Sequence, residues 1–171
     1  MGQKLKRAMF AVGVFLTLLG AAHAGSMQED LYRAEHIIGI HCDEIIRLVK
    51  GYAAKGNPEA QDLMGFCFIV NDGMDPLDKG PRRDYKLAAY WYGRAASQGY
   101  ASSQMSMGML YEEGLGTPQD FVVAYAWYNL AAANDGISPE RRDKLAGRMT
   151  ALQIAEGQEI ARKFIARPES Q

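Results

Sequence analysis

The sequence lacks the short motifs that mark the common kinds of catalytic site. It contains no Ser-x-x-Lys or Gly-x-Ser-x-Gly nucleophile, no His-Glu-x-x-His zinc pair, no Cys-x-x-Cys redox pair and no glycine-rich phosphate loop. Each of these chemistries needs its residue types at a fixed spacing. We therefore predict no catalytic residue, no cofactor and no enzymatic activity.

Histidine is scarce in this chain. Only three occur, and two of them, His36 and His41, lie beyond residue 24. Five positions on an α-helix correspond to a rotation of about 140°, so these two side chains cannot chelate one metal ion from a straight helix. A site of His41, Cys42 and Glu44 is the alternative, but a structural zinc ion normally has four convergent ligands. We predict no metal site.

The chain also lacks a long apolar run. The run at residues 8–22 is shorter than the roughly 20 residues that a membrane-spanning helix needs. Lys4, Lys6 and Arg7 precede this run and Ala22-His23-Ala24 follows it, which is the pattern of a cleaved signal peptide. No cysteine directly follows the run, so we expect no lipid anchor. We predict a signal peptide over residues 1–24 and a periplasmic or secreted protein without stable membrane insertion after cleavage.

An excess of positive charge is missing as well. The formal net charge is −1, and removal of residues 1–24 leaves 16 Lys and Arg against 20 Asp and Glu, a net charge of −4. Affinity for phosphate backbones comes from clustered cations. We therefore exclude nucleic acid as the expected partner.

The chain has two cysteines, Cys42 and Cys67, and both lie in the part expected to be exported. An oxidising compartment tends to join such a pair. Apolar residues every seven positions predict one helix through residues 31–52, which ends at Gly56-Asn57-Pro58 where the next helix begins. The two cysteines lie 14 residues before and 11 residues after Gly56, at similar heights in an antiparallel pair. We predict one disulfide; the alternative is two buried thiols that pack as small apolar groups.

The main positive signal is an internal repeat. Residues 84–96 align with residues 120–132 at an offset of 36, the period of a helical repeat array. Asp84 and Asp120 are suitable N-caps, and a repeat unit cannot bury its apolar face alone. The predicted helices form two antiparallel pairs, at 58–70 with 84–97 and at 101–113 with 120–133. The predicted fold class is all-α, an α/α solenoid of stacked antiparallel helix pairs.

A second set of recurring residues has a different offset. Gln61 and Gly65 recur as Gln104 and Gly108 at an offset of 43. The first unit is therefore longer by seven residues, which fall in the polar loop 71–81. Loops of this kind lie on the surface and often carry binding contacts.

Four segments carry a family resemblance: Ala60-Gln61-x-x-Met64-Gly65-x-x-Phe68, Asp84 with Ala89-x-Trp91-Tyr92-x-x-Ala95-Ala96-x-Gln98-Gly99, Gln104-x-x-Met107-Gly108-x-x-Tyr111-x-x-Gly114-x-Gly116, and Gln119-Asp120 with Ala126-Trp127. They resemble the Sel1-like repeats, relatives of the tetratricopeptide repeat, over about residues 42–135. The resemblance implies a solenoid in which the first helix of each pair lines a concave face. It also implies adaptor or regulatory roles at the cell envelope, including control of signalling proteins and wall-modifying enzymes.

Both ends of the array are predicted to carry caps, since terminal caps keep a solenoid soluble. Residues 25–57 form an N-terminal helical cap and residues 137–171 a C-terminal one, around repeats at 58–136. Ser138-Pro139 begins one helix of the C-terminal cap, and a capping box at residues 150–153 begins another. We expect one apolar face to cover the open end: Leu145, Met149, Leu152, Ile160 and Phe164.

Two pairs of residues suggest a ligand site but have simpler explanations. Trp91 and Trp127 recur with the repeat, and a residue needed once per repeat serves packing, so we predict that both lie in the core. Glu112 and Glu113 are neighbours on a helix and point about 100° apart. We predict that they form a solvated helix end rather than an acid–base pair.

Apolar residues outside the recurring core positions are the candidates for partner binding. Phe66 and Met105 occupy such positions, and Met109 aligns with Phe66 at the offset of 43. If the first helix of each pair lines the concave face, these three form an apolar strip, and methionine suits adaptable binding surfaces. The alternative is that the N-terminal helix covers them.

These observations together predict an exported helical-repeat protein that acts as a protein–protein interaction scaffold or regulator at the bacterial cell envelope. Two alternatives are open. One is a cell-wall or β-lactam-interacting protein, although this chain lacks the two cysteines per repeat of the relatives linked to penicillin binding. The other is a structural subunit of an envelope complex.

Overall fold

The structure is a computed structural model that describes residues 27–35, 42–70, 82–135 and 139–165. Within these ranges every regular element is a helix, which confirms the predicted fold class. The helices are α1 (Met27–Glu35), α2 (Cys42–Ala54), α3 (Pro58–Val70), α4 (Tyr85–Ala96), α5 (Ala101–Glu113), α6 (Phe121–Asp135), α7 (Pro139–Ala146) and α8 (Ala151–Ile165). None of these described helices is long and apolar enough to cross a membrane.

The helix boundaries follow from capping residues that the sequence displays. Asp84 Oδ1 accepts the backbone N–H groups two and three positions later, at 2.9 and 3.0 Å. Asp120 Oδ1 does the same at the start of α6, also at 2.9 and 3.0 Å. Before α8, Thr150 N–H donates to Gln153 Oε1 at 2.9 Å while Gln153 N–H donates to Thr150 Oγ1 at 3.3 Å. Both predicted N-caps and the predicted capping box are confirmed.

The helices stack in chain order. Each helix from α2 to α6 packs against the next, α1 packs on α2 and α3, and both α7 and α8 pack on α6. One buried apolar cluster runs through α1 to α5. Two smaller clusters join α6 to α7 and α6 to α8.

A contact between a glycine and a tyrosine joins the two helices of each repeat. Gly65 of α3 faces Tyr92 of α4, and a Cβ atom at Gly65 would lie 2.8 Å from that ring. Gly108 of α5 faces the ring of Tyr128 of α6 even more closely. The two tyrosines are buried, with 4% and 2% of their surface exposed. Each glycine therefore lets a ring lie directly against the backbone of the facing helix.

The recurring tryptophans are less buried than predicted. Trp91 and Trp127 are half-buried and border the first apolar cluster. Trp127 also meets the ring of Phe164 edge-to-face, with 5.2 Å between the ring centroids. In each repeat the buried ring is that of the tyrosine after the tryptophan. The glycine on the facing helix makes room for a ring only at the tyrosine.

A buried glutamine joins the first repeat to the helix before it. Gln61 is fully buried, and its Nε2 donates to the carbonyl of Ala53 at 3.0 Å, near the end of α2. Its Oε1 accepts a hydrogen bond from Gln98, just after α4, at 2.8 Å. One side chain thus binds groups from both neighbouring helix ends.

The second repeat contains the same arrangement. Gln104 has 1% of its surface exposed and donates to the carbonyl of Ala96 at 3.1 Å. Its Oε1 accepts from Asn134 Nδ2 at 2.9 Å. Ala96 lies 43 residues after Ala53, and Asn134 lies 36 residues after Gln98. The polar contact therefore recurs at the same two offsets as the repeat.

The N-terminal cap contains two helices in the described residues. Leu31 of α1 is 1% exposed, and Tyr52 OH of α2 donates to Asp30 Oδ2 of α1 at 2.8 Å. That hydrogen bond raises the pKa of Tyr52. The predicted single helix through residues 31–52 crosses residues 36–41, which lie outside the described residues together with both histidines. The loop 71–81 lies outside them too.

The C-terminal cap differs from the prediction in the face that α8 uses. Leu145 is fully buried, and Met149 and Phe164 are half-buried against neighbouring helices, as predicted. Leu152 and Ile160 are 79% and 37% exposed, so the prediction is wrong for these two residues.

Small residues on α8 make the actual contact with α6. Ala161 is buried, and Gly157 lies so close to Tyr125 that a Cβ atom there would be 2.8 Å from the ring. Ile154 packs against the same side. Because α8 approaches α6 through glycine and alanine, the contact face does not coincide with the row of large apolar residues.

Candidate functional site

The three predicted binding residues lie on α3 and α5, the first helices of the two pairs. Phe66 and Met109 are half-buried against the cluster that runs through α1 to α5. Met105 is half-buried against the cluster between α6 and α7. The structure therefore gives Phe66 and Met109 a common apolar support and Met105 a different one. As partner-binding residues, all three stay predictions.

Polar groups connect α3 to α5 on the same side. Asp62 accepts hydrogen bonds from the hydroxyls of Ser103 and, at 3.3 Å, Ser102. Ser106 Oγ donates to the carbonyl of Ser102 at 3.1 Å. Burial, followed by the charge of Asp62, raises the pKa of Tyr92 far above its usual value. This α3–α5 face, formed by Asp62, Phe66, Ser102, Met105, Ser106 and Met109, combines a carboxylate with half-buried apolar side chains.

The contacts of α1 bear on the alternative for this face. Helix α1 packs on α2 and α3. Of the three candidates, only Phe66 belongs to one of those helices. Among the three candidates, the contacts of α1 therefore bear on the cover of Phe66 and not on that of the two methionines.

Helix α4 carries an exposed face that the sequence prediction missed. Leu87 and Tyr90 are 43% and 53% exposed. Tyr90 meets Trp91 edge-to-face with 5.1 Å between centroids. The guanidinium of Arg94 lies 5.9 Å from the Tyr90 ring centroid and 5.6 Å from that of Trp91. We call these four residues the α4 face.

The matching face of α6 is covered. At the offset of 36, Tyr90 and Arg94 correspond to Ala126 and Leu130, which are 2% and 3% exposed. Both pack in a cluster with Ala161 of α8. The same side of the second helix is thus closed by α8 in one repeat and open in the other. Comparing residues at the 36-residue offset would have revealed this difference, because tyrosine and arginine replace alanine and leucine.

A polar network ties the second repeat to the C-terminal cap. Tyr128 OH donates to Glu112 Oε2 at 2.8 Å, and Arg141 donates to the same hydroxyl at 3.5 Å. Arg148 lies 3.2 Å from Glu112 Oε1 and 4.5 Å from the ring centroid of Phe121. Burial raises the pKa of Tyr128 to about 12. The neighbouring Arg141 lowers this pKa, and Glu112 raises it. The prediction of a solvated Glu112 is therefore wrong, since its side chain is only 19% exposed.

The two cysteines lie together in the core between α2 and α3. Cys42 and Cys67 are fully buried, and Cys67 Sγ lies 3.9 Å from the carbonyl oxygen of Cys42. The structure carries both as thiols. Both cysteines belong to the same buried cluster, and the disulfide stays a prediction.

Metal ligands do not cluster in the described part of the chain. No group of three or more His, Cys, Asp and Glu residues there could hold a metal ion.

Comparisons with known proteins agree with this architecture. The family model of the Sel1 repeat matches at residues 58–100 and 101–136. Residues 58–136 are thus two Sel1-like repeats. Sel1 repeats mediate protein–protein interactions, and the proteins that carry them are typically scaffolds or regulators rather than enzymes.

A curated relative contains a related segment. The chitin synthase regulator SKT5 of Saccharomyces cerevisiae is 32% identical over 83 residues. The match covers 48% of this Sel1-like chain and 11% of the yeast protein. The similarity therefore concerns a small part of a much longer protein.

Two solved structures share the fold. A protective antigen of uropathogenic Escherichia coli strains, which displays an SLR fold, aligns with a TM-score of 0.71 and 27% identity over 82% of this chain and 30% of that one. A Sel1 repeat protein of Oxalobacter formigenes aligns with a TM-score of 0.55 and 28% identity, over 78% and 97% of the two chains.

Proposed function

We propose that this Sel1-like repeat protein is exported and acts in the bacterial envelope by binding another protein, as a scaffold or regulator without catalytic activity. The repeat family supports the binding role. The basic and apolar segment before Gly25 supports export. The yeast relative is a regulator, which favours a regulatory role over a purely structural one.

The observation that carries the proposal is the open α4 face. Large apolar side chains are costly to expose in a row, and a contiguous apolar patch often marks an interaction surface. Leu87 and Tyr90 are exposed together with the ring of Trp91 beside them. Aromatic and arginine side chains are also the residues most enriched at the energetic centres of protein interfaces. The α3–α5 face is the second candidate surface.

The test compares substitutions that introduce the same charge at three places. Tyr90→Glu alters the α4 face, Met109→Glu alters the α3–α5 face, and Leu152→Glu changes an exposed apolar residue of α8. Each tagged protein is used for affinity capture in its native host, with mass spectrometry of the bound proteins and a thermal melt of the purified variant.

We expect Tyr90→Glu to lose the partner without a change in melting temperature, because a carboxylate in an apolar interface has no compensating partner. Leu152→Glu is the matched control and should retain the partner. Met109→Glu separates two possibilities: lost capture at full stability places the partner on the α3–α5 face, and a lowered melting temperature assigns Met109 to the core. If no protein is enriched by the unaltered chain, the binding role is refuted.

Export has its own measurement. Cell fractionation should place the protein outside the cytoplasm, and N-terminal sequencing of that fraction should begin at Gly25. A cytoplasmic protein that begins at Met1 would contradict the proposed location.

A further inference from the structure

Positive charge is concentrated in α4 and in the residues just before it. Residues 82–96 contain four cationic side chains, Arg82, Arg83, Lys86 and Arg94, and one acidic side chain. The acidic residue is Asp84, whose carboxylate caps the helix by accepting backbone N–H groups. The chain as a whole has a net charge of −1, so a local excess of positive charge stands out from its composition.

The second repeat has no cation in the corresponding segment. At the offset of 36, residues 118–132 contain one charged side chain, the N-capping aspartate. Lys86 corresponds to the half-buried Val122, and Arg94 corresponds to the buried Leu130. Because the second helix pair forms without any cation there, the packing of a repeat does not require the positive charges of α4.

Two of these cations lie on the α4 face. Lys86 lies four positions before Tyr90 and Arg94 four positions after it, a spacing that places all three along one side of a helix. The rings of Tyr90 and Trp91 lie beside the guanidinium of Arg94. Within the part of the chain that the structure describes, neither cation forms an ion pair. A cation that is partly shielded from water attracts a carboxylate more strongly than a fully solvated one does.

The second repeat also shows which kind of element covers this side of a repeat. Helix α8 lies on α6 there, where Ala161 packs in a cluster with Ala126 and Leu130. Phe164, three positions later on α8, meets the ring of Trp127 edge-to-face. A helix that covered α4 in the same way would meet an arginine where α8 meets a leucine, and again a tryptophan beside it.

From the charge of this face and from the helix that covers its counterpart, we infer that the α4 face binds an acidic amphipathic helix of the partner protein. The apolar side of that helix packs on Leu87, Tyr90 and Trp91, and carboxylates beside it pair with Lys86 and Arg94. Charge-assisted hydrogen bonds of arginine to carboxylates are stronger than those between neutral groups. The inference rests on the proposed function in one respect, that the helix belongs to a bound protein.

Three synthetic peptides test the charge of the partner helix. Each is N-acetylated and C-terminally amidated and contains three copies of Leu-Glu-Glu-Phe-Leu-Glu-Ala, with glutamate, glutamine or lysine at the glutamate positions. The apolar residues of this unit recur at the spacing of an amphipathic helix. Each peptide carries a fluorescent label and is titrated with the exported protein, and the anisotropy gives the Kd at low and high salt.

We expect the glutamate peptide to bind about tenfold more tightly than the glutamine peptide, the gain expected for one hydrogen bond to a charged group. The lysine peptide should bind more weakly still, and added salt should weaken the glutamate peptide because it screens exposed charges. Equal binding of the glutamate and glutamine peptides, or no binding of the glutamate peptide, would overturn the inference.

Charge reversal then tests whether the α4 face is the site. Arg94→Glu should weaken the glutamate peptide by about tenfold or more. Arg47→Glu on α2 is the matched control, because the Arg47 side chain is 69% exposed and its reversal changes the net charge equally. The double variant Lys86→Glu with Arg94→Glu should bind the lysine peptide more tightly than the unaltered protein does, a gain that misfolding cannot produce. Equal weakening by Arg94→Glu and Arg47→Glu would contradict a site on α4.

Two other occupants of the α4 face give different results. The first is a membrane, which would be indicated by vesicles of phosphatidylethanolamine and phosphatidylglycerol that bind the unaltered protein but not Arg94→Glu, without binding of the glutamate peptide. The net negative charge of the chain opposes this occupant. The second is another copy of the chain, which would be indicated by a dimer in light scattering that Tyr90→Glu dissociates. Either result would overturn the inference.

The outcomes also distinguish this inference from the proposed function. A protein that captures its native partner but does not bind the glutamate peptide would remove the acidic helix and leave the scaffold role intact. A protein that binds the glutamate peptide through Arg94 but captures no native partner would support the chemistry of the α4 face and contradict the scaffold role.

Discussion

Replacing Gly65 with alanine places a methyl group where the ring of Tyr92 lies. The new Cβ atom would be 2.8 Å from two ring carbons and 2.9 Å from a third. Carbon atoms prefer separations of about 3.5–4.0 Å, so the ring or the helix must move by roughly 0.7–1.2 Å. Tyr92 is only 4% exposed and its ring is rigid, so neighbouring core residues must move with it.

The size of the effect follows from two opposing contributions. Overpacking of a core costs about 1–3 kcal/mol, while exchanging glycine for alanine inside a helix contributes about 1 kcal/mol of stability. We expect Gly65→Ala to lower the free energy of unfolding by up to about 2 kcal/mol, the difference between these two contributions. Gly51 supplies the matched control, because it lies exposed within α2 and no atom lies within 4 Å of its added Cβ. Gly51→Ala should stabilise the protein by about 0.4–1 kcal/mol.

Urea unfolding of the two variants measures this difference. The helix-propensity gain is common to both substitutions, so the gap between their free energies reports the steric cost at Tyr92 directly. In a Tyr92→Leu background Gly65→Ala should cost less stability than in the unaltered protein, since the flexible leucine can move away from the methyl group. Equal stabilisation by both alanines would refute the proposed role of the glycine–tyrosine contact.

Three further results are expected. Gln104→Leu should destabilise the fold by about 1–3 kcal/mol in denaturant melts, because it leaves the buried carbonyl of Ala96 without its donor; unchanged stability would contradict this. The phenolate absorbance of Tyr128 should appear near pH 12, because folding raises the pKa of this residue from 10.0. The contribution of Tyr128 to stability should therefore be complete below pH 10 and decline between pH 10 and 12. Titration near pH 10 would show that the ring is exposed to solvent. Thiol labelling of the denatured, unreduced exported protein should detect neither Cys42 nor Cys67, whose bridge would add about 3 kcal/mol, and two labelled thiols would exclude the bridge.

The helix boundaries were predictable because they depend on single residues with one dominant local role. Asp84 and Asp120 accept neighbouring backbone N–H groups whatever lies further away. The repeat offset likewise identified Gln61 and Gln104 as equivalent, although their buried hydrogen bonds to two helix ends could not be deduced from spacing.

Side-chain burial was harder to predict where two neighbouring large residues compete for one position. Trp127 and Tyr128 both recur, and only the glycine on the facing helix decides that the tyrosine is buried. In α8, the close approach through Gly157 turns Leu152 outward despite its apolar character. Glu112 is held by Tyr128 of α6 and by Arg148 of the connection between α7 and α8, and no local pattern in the sequence indicates those partners.

The candidate sites depend on what the repeats do not share. The sequence placed Phe66 and Met109 on the first helices of the pairs, which the structure supports as a location but not as a function. The exposure of the α4 face depends on α8, which covers α6 and leaves α4 open. The 36-residue comparison marks α4 as different from α6, but only the docking of α8 shows that this side is covered in α6 and exposed in α4.

The buried glutamines have a consequence for how such an array can lengthen or end. The junction before α3 and the junction before α5 use the same bond, from a glutamine to a carbonyl 8 residues earlier. A duplicated copy of residues 58–100 would therefore find a compatible partner on either side, and tandem duplication would need no new polar chemistry. One period after Gln104 the chain has Glu140, whose side chain has no N–H to donate to the end of α6. A segment that continues the array at that end must therefore supply its own glutamine at this position, which the C-terminal segment of this chain does not.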